Sequence, residues 1–206
     1  MQSKTEEIWN AATHGLGILL GIAGLFILLY FDTNKTVYST MSIFMYAISI
    51  IILYTASTLY HGLQKDTWKN FLRRIDHISI YYLIAGTYTP VALITLEESS
   101  GWLLFWTVWG IALIGTVLKI FFTGRFEKFS VLLYIIMGWL IVFDISNLVQ
   151  LQSSLGTNLL ILGGLCYTLG IIFYVKHRIP YNHVIWHFFV LFGSIFHFFY
   201  ILFAVI

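Results

Sequence analysis

Apolar residues gather along this chain into seven runs, at about 15–31, 39–62, 73–95, 101–122, 129–149, 156–176 and 183–206. Each is long enough, or nearly so, to cross ~30 Å of hydrocarbon at about 1.5 Å per residue. The runs are apolar on all sides, whereas a barrel strand alternates apolar with polar and needs only ~10 residues. Short polar connections separate them, at about 32–38, 63–72, 96–100, 123–128, 150–155 and 177–182. No soluble domain fits in these connections, so residues 1–206 are expected to form one all-α, polytopic membrane domain, a seven-transmembrane-helix bundle.

Composition supports lipid as the solvent. Hydrophobic residues make up 59% and charged residues 10% of the chain, against about 25% charged in ordinary soluble domains. The net charge of +2 gives no reason to expect a nucleic-acid partner. Cys166 is the sole cysteine, which excludes an intrachain disulfide or a Cys-based zinc ribbon. The first run follows Glu6 and Glu7 rather than a basic segment, and reads as a retained helix, not a cleaved leader. Gly17, Gly21 and Gly24 read as positions of close helix approach. Pro90 is expected to kink the third helix, and Pro180 to turn the chain before the seventh. Nothing in the pattern sets an oligomeric state.

The basic residues fix an expected orientation. Lys4, Lys65, Lys69, Arg73, Arg74, Lys119, Arg125, Lys128, Lys176 and Arg178 fall on one side of the seven runs, and Lys35 alone on the other. The positive-inside rule then puts the amino terminus inside and the carboxyl terminus outside.

Ionisable groups within membrane spans are expensive and are functional candidates by default. Here they converge at one level: Glu7, Asn10 and His14 at the start of helix one, Ser57 and His61 at the end of helix two, Asp76 and His77 opening helix three, and His183 and His187 opening helix seven. Spacings of three, four and seven place the residues named in helix one, in helix two and in helix seven each on one helical face. Two histidines at i, i+4 chelate divalent metals, and a third from another helix leaves one tetrahedral position for water. His61, His183 and His187 are the expected ligands. The spacing alone also suits a bis-histidine haem, and a lone histidine here would more often hydrogen-bond a carbonyl or reach the interface. His197 follows the same stripe of helix seven but lies roughly 15–20 Å deeper, too far to ligate the same ion. His177, between Lys176 and Arg178, reads as part of a basic rim. Asp144 and Asn147 suit either an interior hydrogen bond or a functional water contact.

The motifs Glu7-x2-Asn10-x3-His14, Ser57-x3-His61, Asp76-His77 and His183-x3-His187 followed by His197 resemble the haemolysin III branch of the progestin and adipoQ receptor family, the adiponectin-receptor-like seven-helix proteins. The match extends over essentially the whole chain. The resemblance implies Zn2+ on His61, His183 and His187, with Asp76 contacting the water on the metal and Ser57 beside it. Glu7, Asn10, His14, His77 and His197 are then candidates for surrounding positions. It also implies ceramidase-like hydrolysis of a lipid amide or ester, with a membrane lipid as substrate and Asp76 and Ser57 as catalytic residues. The alternative is a non-enzymatic haemolysin, receptor or membrane regulator whose zinc is structural. The long cytoplasmic region and tail of the animal receptors have no counterpart, so a hormone-receptor role does not transfer, and compactness fits a protein of the bacterial cytoplasmic membrane.

The orientation yields a direct expectation: the loops carrying Arg73, Arg125 and Arg178 lie in the cytoplasm and Ile206 lies outside. Cysteine labelling in intact cells checks it. An externally labelled loop at Arg125 would refute it.

Overall fold

A computed structural model describes residues 2–63, 66–122 and 126–206. Lys65 and Arg125, both used in the charge count, lie outside the described residues. Among the described residues eight α-helices follow in order: α1 (Lys4–Phe31), α2 (Ser39–Gly62), α3 (Asp66–Pro90), α4 (Gly101–Phe122), α5 (Glu127–Trp139), α6 (Ile145–Leu151), α7 (Ser154–Val175) and α8 (Asn182–Tyr200). No strand occurs among the described residues. The helices make seven segments long and apolar enough to cross a membrane, because α5 and α6 lie on one span, Glu127–Leu151.

The helix limits depart from the apolar runs where local hydrogen bonding extends a helix into polar sequence. The first helix starts at Lys4, not near Gly15. Ser3 caps it: its hydroxyl accepts from the Glu6 N–H at 3.3 Å, while the Glu6 carboxylate accepts from the Ser3 N–H at 2.7 Å. This reciprocal box satisfies two of the donors that a helix start leaves unpaired. At ~1.5 Å per residue the 28 residues of α1 run to about 42 Å, longer than the ~30 Å hydrocarbon layer. Its polar first turns therefore continue the transmembrane helix beyond the apolar layer. Likewise α3 starts at Asp66 rather than 73.

At Pro90 the α-helix passes into a π-helical turn, Val91–Thr95, closed by the Leu96 N–H on the Val91 carbonyl at 3.0 Å. Proline lacks the N–H that would continue the α ladder, and the wider turn restores pairing beyond it. Tyr181, just after Pro180, has φ 56°, a left-handed turn residue from which α8 departs.

The fifth span is interrupted by a 3-10 segment, Leu140–Asp144. The Asp144 carboxylate accepts from Ser99 Oγ at 3.0 Å, Ser100 Oγ at 2.5 Å, the Ser100 N–H at 3.4 Å and Asn147 Nδ2 at 2.6 Å. Of the two readings of Asp144 and Asn147, the interior hydrogen bond is the one realised, tying the break in span five to the loop before α4.

The third span is the axis of the bundle, 72% buried against 11% for α7. Around it α1 packs on α2 and α8, α2 on α3, α3 on α4, and α7 on α8, while α5 touches α3, α4 and α7. Gly17, Gly21 and Gly24 of α1 are buried and act as close-approach positions. A Cβ on Gly17 would stand 2.6 Å from the Tyr54 ring, and one on Gly24 would stand 3.2 Å from Phe198. Thus α1 is drawn against α2 and α8 on the side where its polar residues meet theirs.

Overpacking of this kind costs about 1–3 kcal/mol. Gly17→Ala is expected to lower thermal stability in detergent by that order. Gly110→Ala, whose added carbon meets nothing within 4 Å, should be neutral or slightly stabilising, since alanine favours helix over glycine by ~1 kcal/mol. Equal melting shifts for the two would refute the packing role.

Candidate metal centre

Two helices deliver the three histidines. His61 stands in the last turn of α2, where that helix meets α3, and His183 and His187 lie one turn apart at the start of α8. One ligand nitrogen from each of the three falls within 4.8 Å of the others. Ring centroids are 5.1 Å apart for His61 and His183, 4.9 Å for His61 and His187, and 4.7 Å for His183 and His187. His61 and His187 are each 1% exposed, so water does not account for their inner nitrogens.

Outer contacts hold Nδ1 of two of the three rings, those of His61 and His187. Glu7 Oε2 lies 2.5 Å from His61 Nδ1. A carboxylate only accepts, so Nδ1 carries the proton and Nε2 keeps its lone pair. That Nε2 is buried with no hydrogen-bond partner. His187 repeats the arrangement, with Nδ1 donating to the Asn10 carbonyl at 3.2 Å and Thr13 Oγ1 at 3.5 Å from the same nitrogen. An imidazole held from behind by a carboxylate or carbonyl, with its other nitrogen bare, is the usual state of a metal-ligating histidine. The donor set therefore fits a metal ion.

The remaining candidates divide into those in the site and those outside it. His14 lies flat on His187, centroids 3.6 Å apart, with its edge toward Tyr54. Its two nitrogens are buried and unpartnered among the described residues, and the stacked geometry makes it the wall of the site. Asp76, in α3, is 8% exposed and close to His61. It faces Ser57, whose hydroxyl is buried without a hydrogen bond of ordinary geometry. His77, beside Asp76, turns instead to α4 and α5, with Nδ1 3.6 Å from Glu127 Oε2 and 3.5 Å from Lys119 Nζ.

His197 is a correction to the expected surroundings of the site. It sits ten residues past His187, about 15 Å along the helix. There it stacks on Tyr167 at 5.4 Å and fills the notch at Gly163, where an added Cβ would come within 2.6 Å of its ring. It is a packing residue of the α7–α8 contact. His177 is exposed, as a rim residue would be.

Sequence reasoning missed two participants. Thr13 approaches His187, and Gln2 accepts from the Asn10 amide at 2.8 Å, while it is the Asn10 backbone carbonyl that meets His187. A motif written in side chains points to the wrong part of Asn10. Thr13, three residues beyond it on the same face, was the available signal.

Comparison with known proteins identifies the family. The family described as "Haemolysin-III related" matches residues 2–198. The chain belongs to that family. This haemolysin III-related chain is 44% identical over 206 residues to Hemolysin-3 of Bacillus cereus, covering 100% of this chain and 94% of that one. It is 45% identical over 199 residues to the Hemolysin-3 homolog of Bacillus subtilis (strain 168), covering 96% and 93%. A more distant likeness, 26% over 206 residues, reaches the human monocyte to macrophage differentiation factor, covering 94% of this chain and 82% of that one. With seven apolar spans, the haemolysin III-related chain is a multi-pass membrane protein, and its bacterial relatives point to the cell membrane.

His187→Ala in the purified haemolysin III-related chain is expected to lower bound metal strongly, and His177→Ala to leave it unchanged. Metal analysis after gel filtration checks this. Equal losses would show that His187 is not a ligand.

Proposed function

We propose that the chain is a zinc-dependent intramembrane hydrolase that cleaves an amide or ester bond of a membrane lipid at the cytoplasmic face. The observation that carries the reading is the donor set. Three histidine donors converge among the described residues, and a buried carboxyl and a buried, unpartnered hydroxyl stand beside them. Structural zinc sites are closed by four protein ligands, whereas catalytic ones hold three and keep a position open. A zinc ion bound there supplies Lewis acidity, bringing the pKa of water to ~7 and polarising a carbonyl.

The chain's own residues do the rest. His61, His183 and His187 hold the ion, with Glu7 and the Asn10 carbonyl fixing the tautomers of His61 and His187. Asp76 takes the proton of the attacking water and returns it to the departing nitrogen or oxygen. Ser57 Oγ is free to donate to the oxygen of the carbonyl under attack as negative charge builds on it. His14, packed on His187, closes the site on the α1 side and keeps water from the ligands. Ten basic residues on the side of the amino terminus support a cytoplasmic placement.

The name of the Bacillus cereus relative, Hemolysin-3, favours a second reading, a non-enzymatic haemolysin with a structural metal. Asp76→Asn separates the two. It is expected to retain metal and helical content while losing lipid hydrolysis by about 100- to 10,000-fold, the usual contribution of general acid–base catalysis. Ser57→Ala should lose less. Turnover of a panel of lipid amides and esters by the metal-loaded protein checks both. Full activity in Asp76→Asn would refute the mechanism, and an inactive wild type would leave the structural-metal reading.

A further inference from the structure

Among the described residues at the amino-terminal end of the bundle, Lys69 is a cation whose contacts lead toward the histidine cluster. Lys69 stands in the first turns of α3, 27% exposed. Its Nζ lies 3.2 Å from Glu7 Oε1 and donates to the Tyr60 carbonyl at 2.6 Å, and it sits 4.5 Å above the centre of the Tyr60 ring. The carbonyl belongs to the last turn of α2, where the helix leaves acceptors unpaired and its dipole favours a cation. The other oxygen of Glu7 is the one on His61 Nδ1. Lys69 thus grips α2 one residue before a metal-cluster histidine and grips the carboxylate that orients that histidine. On α3 itself, Asp76 lies seven residues on, two turns along the same face.

From these contacts we infer that Lys69 is a positioning residue of the metal centre, acting through Glu7 on the tautomer and aim of His61. The inference rests on the metal-centre reading above. A partly exposed ion pair by itself contributes ~0–1 kcal/mol, so an ordinary rim contact would leave metal binding unmoved. What distinguishes this pair is that a carboxylate on a histidine can swing to solvent unless its second oxygen is fixed. Lys69 fixes it, and the same ammonium ties α1, α2 and α3 at one point. Metal affinity, more than stability, is therefore the quantity that Lys69 sets. Lysine at this position also has a reason that the positive-inside count does not supply.

The test uses the full-length protein in detergent with zinc and, for its visible spectrum, cobalt(II). Contacts behind the ligands are worth about 10- to 100-fold in affinity. Glu7→Ala is expected within that range. Lys69→Met, one step further out, is expected at about 3- to 10-fold, with an altered cobalt ligand-field spectrum and little change in melting temperature. The Glu7→Ala, Lys69→Met double variant should bind no more weakly than Glu7→Ala alone, and Lys69→Arg should recover most of the affinity. Unchanged affinity and spectrum in Lys69→Met would overturn the inference, as would losses that add in the double variant. Lys69→Gln replaces Lys69→Met if the latter fails to fold by circular dichroism. Histidine 15N shifts in the metal-free protein give an independent reading. Lys69→Met should reduce the Nδ1–H tautomer of His61, and an unchanged tautomer overturns the role whether or not metal binds. A wild type that takes up no metal would remove the metal-centre reading alone, with the tautomer still deciding the role of Lys69.

Discussion

An imidazole nitrogen stripped of water and of any donor is an uncomfortable group in a low-dielectric interior, and the amino-terminal end of this bundle is built around such nitrogens. Leaving a buried polar atom unpaired costs about 1–3 kcal/mol. Here Nε2 of His61 is unpaired while Nδ1 is deliberately held. The proton of each held ring is pulled outward, by Glu7 on His61 and by the Asn10 carbonyl on His187, so that the bare lone pairs face the interior. A cation held by the three rings would resolve the discomfort of that nitrogen. Once that constraint is accepted, the glycine-mediated approach of α1 to α2 and α8 and the stacking of His14 on His187 follow as the means of bringing outer and inner partners together.

Periodicity and hydropathy made the seven spans legible because lipid leaves the backbone few options: every N–H and C=O within the hydrocarbon must be paired, and a helix does that within one segment. The same signals were silent where the chain leaves the hydrocarbon. Hydropathy cannot see that α1 begins at Lys4, because the start is decided by the Ser3–Glu6 box and not by apolar character. The break at Leu140–Asp144 was likewise hidden in an unbroken apolar run, since it depends on serines forty-odd residues earlier in the chain.

The cluster was legible for a different reason. His61, His183 and His187 share a level because each stands at the end of a span, and alternating spans return to the same side of the membrane. Residues that serve the cluster through the backbone were not legible. The Asn10 side chain is occupied with Gln2, and it is its carbonyl that meets His187. Lys69 entered only the charge count, which records side and sign but not what the ammonium touches. His197 erred in the opposite direction: its place on the stripe of α8 was visible, but the notch at Gly163 that claims it belongs to another helix.

The pairing of α1 with α8 has a consequence for how the molecule is made. Thr13 and Asn10 meet His187 across 174 and 177 residues, so the outer shell of the centre is synthesised with the first span and two of its three histidines with the last. Until the seventh span has entered the bilayer and closed on the first, Asn10 and His14 have no histidine to hold, and His61 waits with a single partner. Ordering of the centre is then coupled to completed insertion, and a chain stalled after six spans would carry two of its polar clusters unquenched in lipid, a state that membrane quality control is suited to recognise.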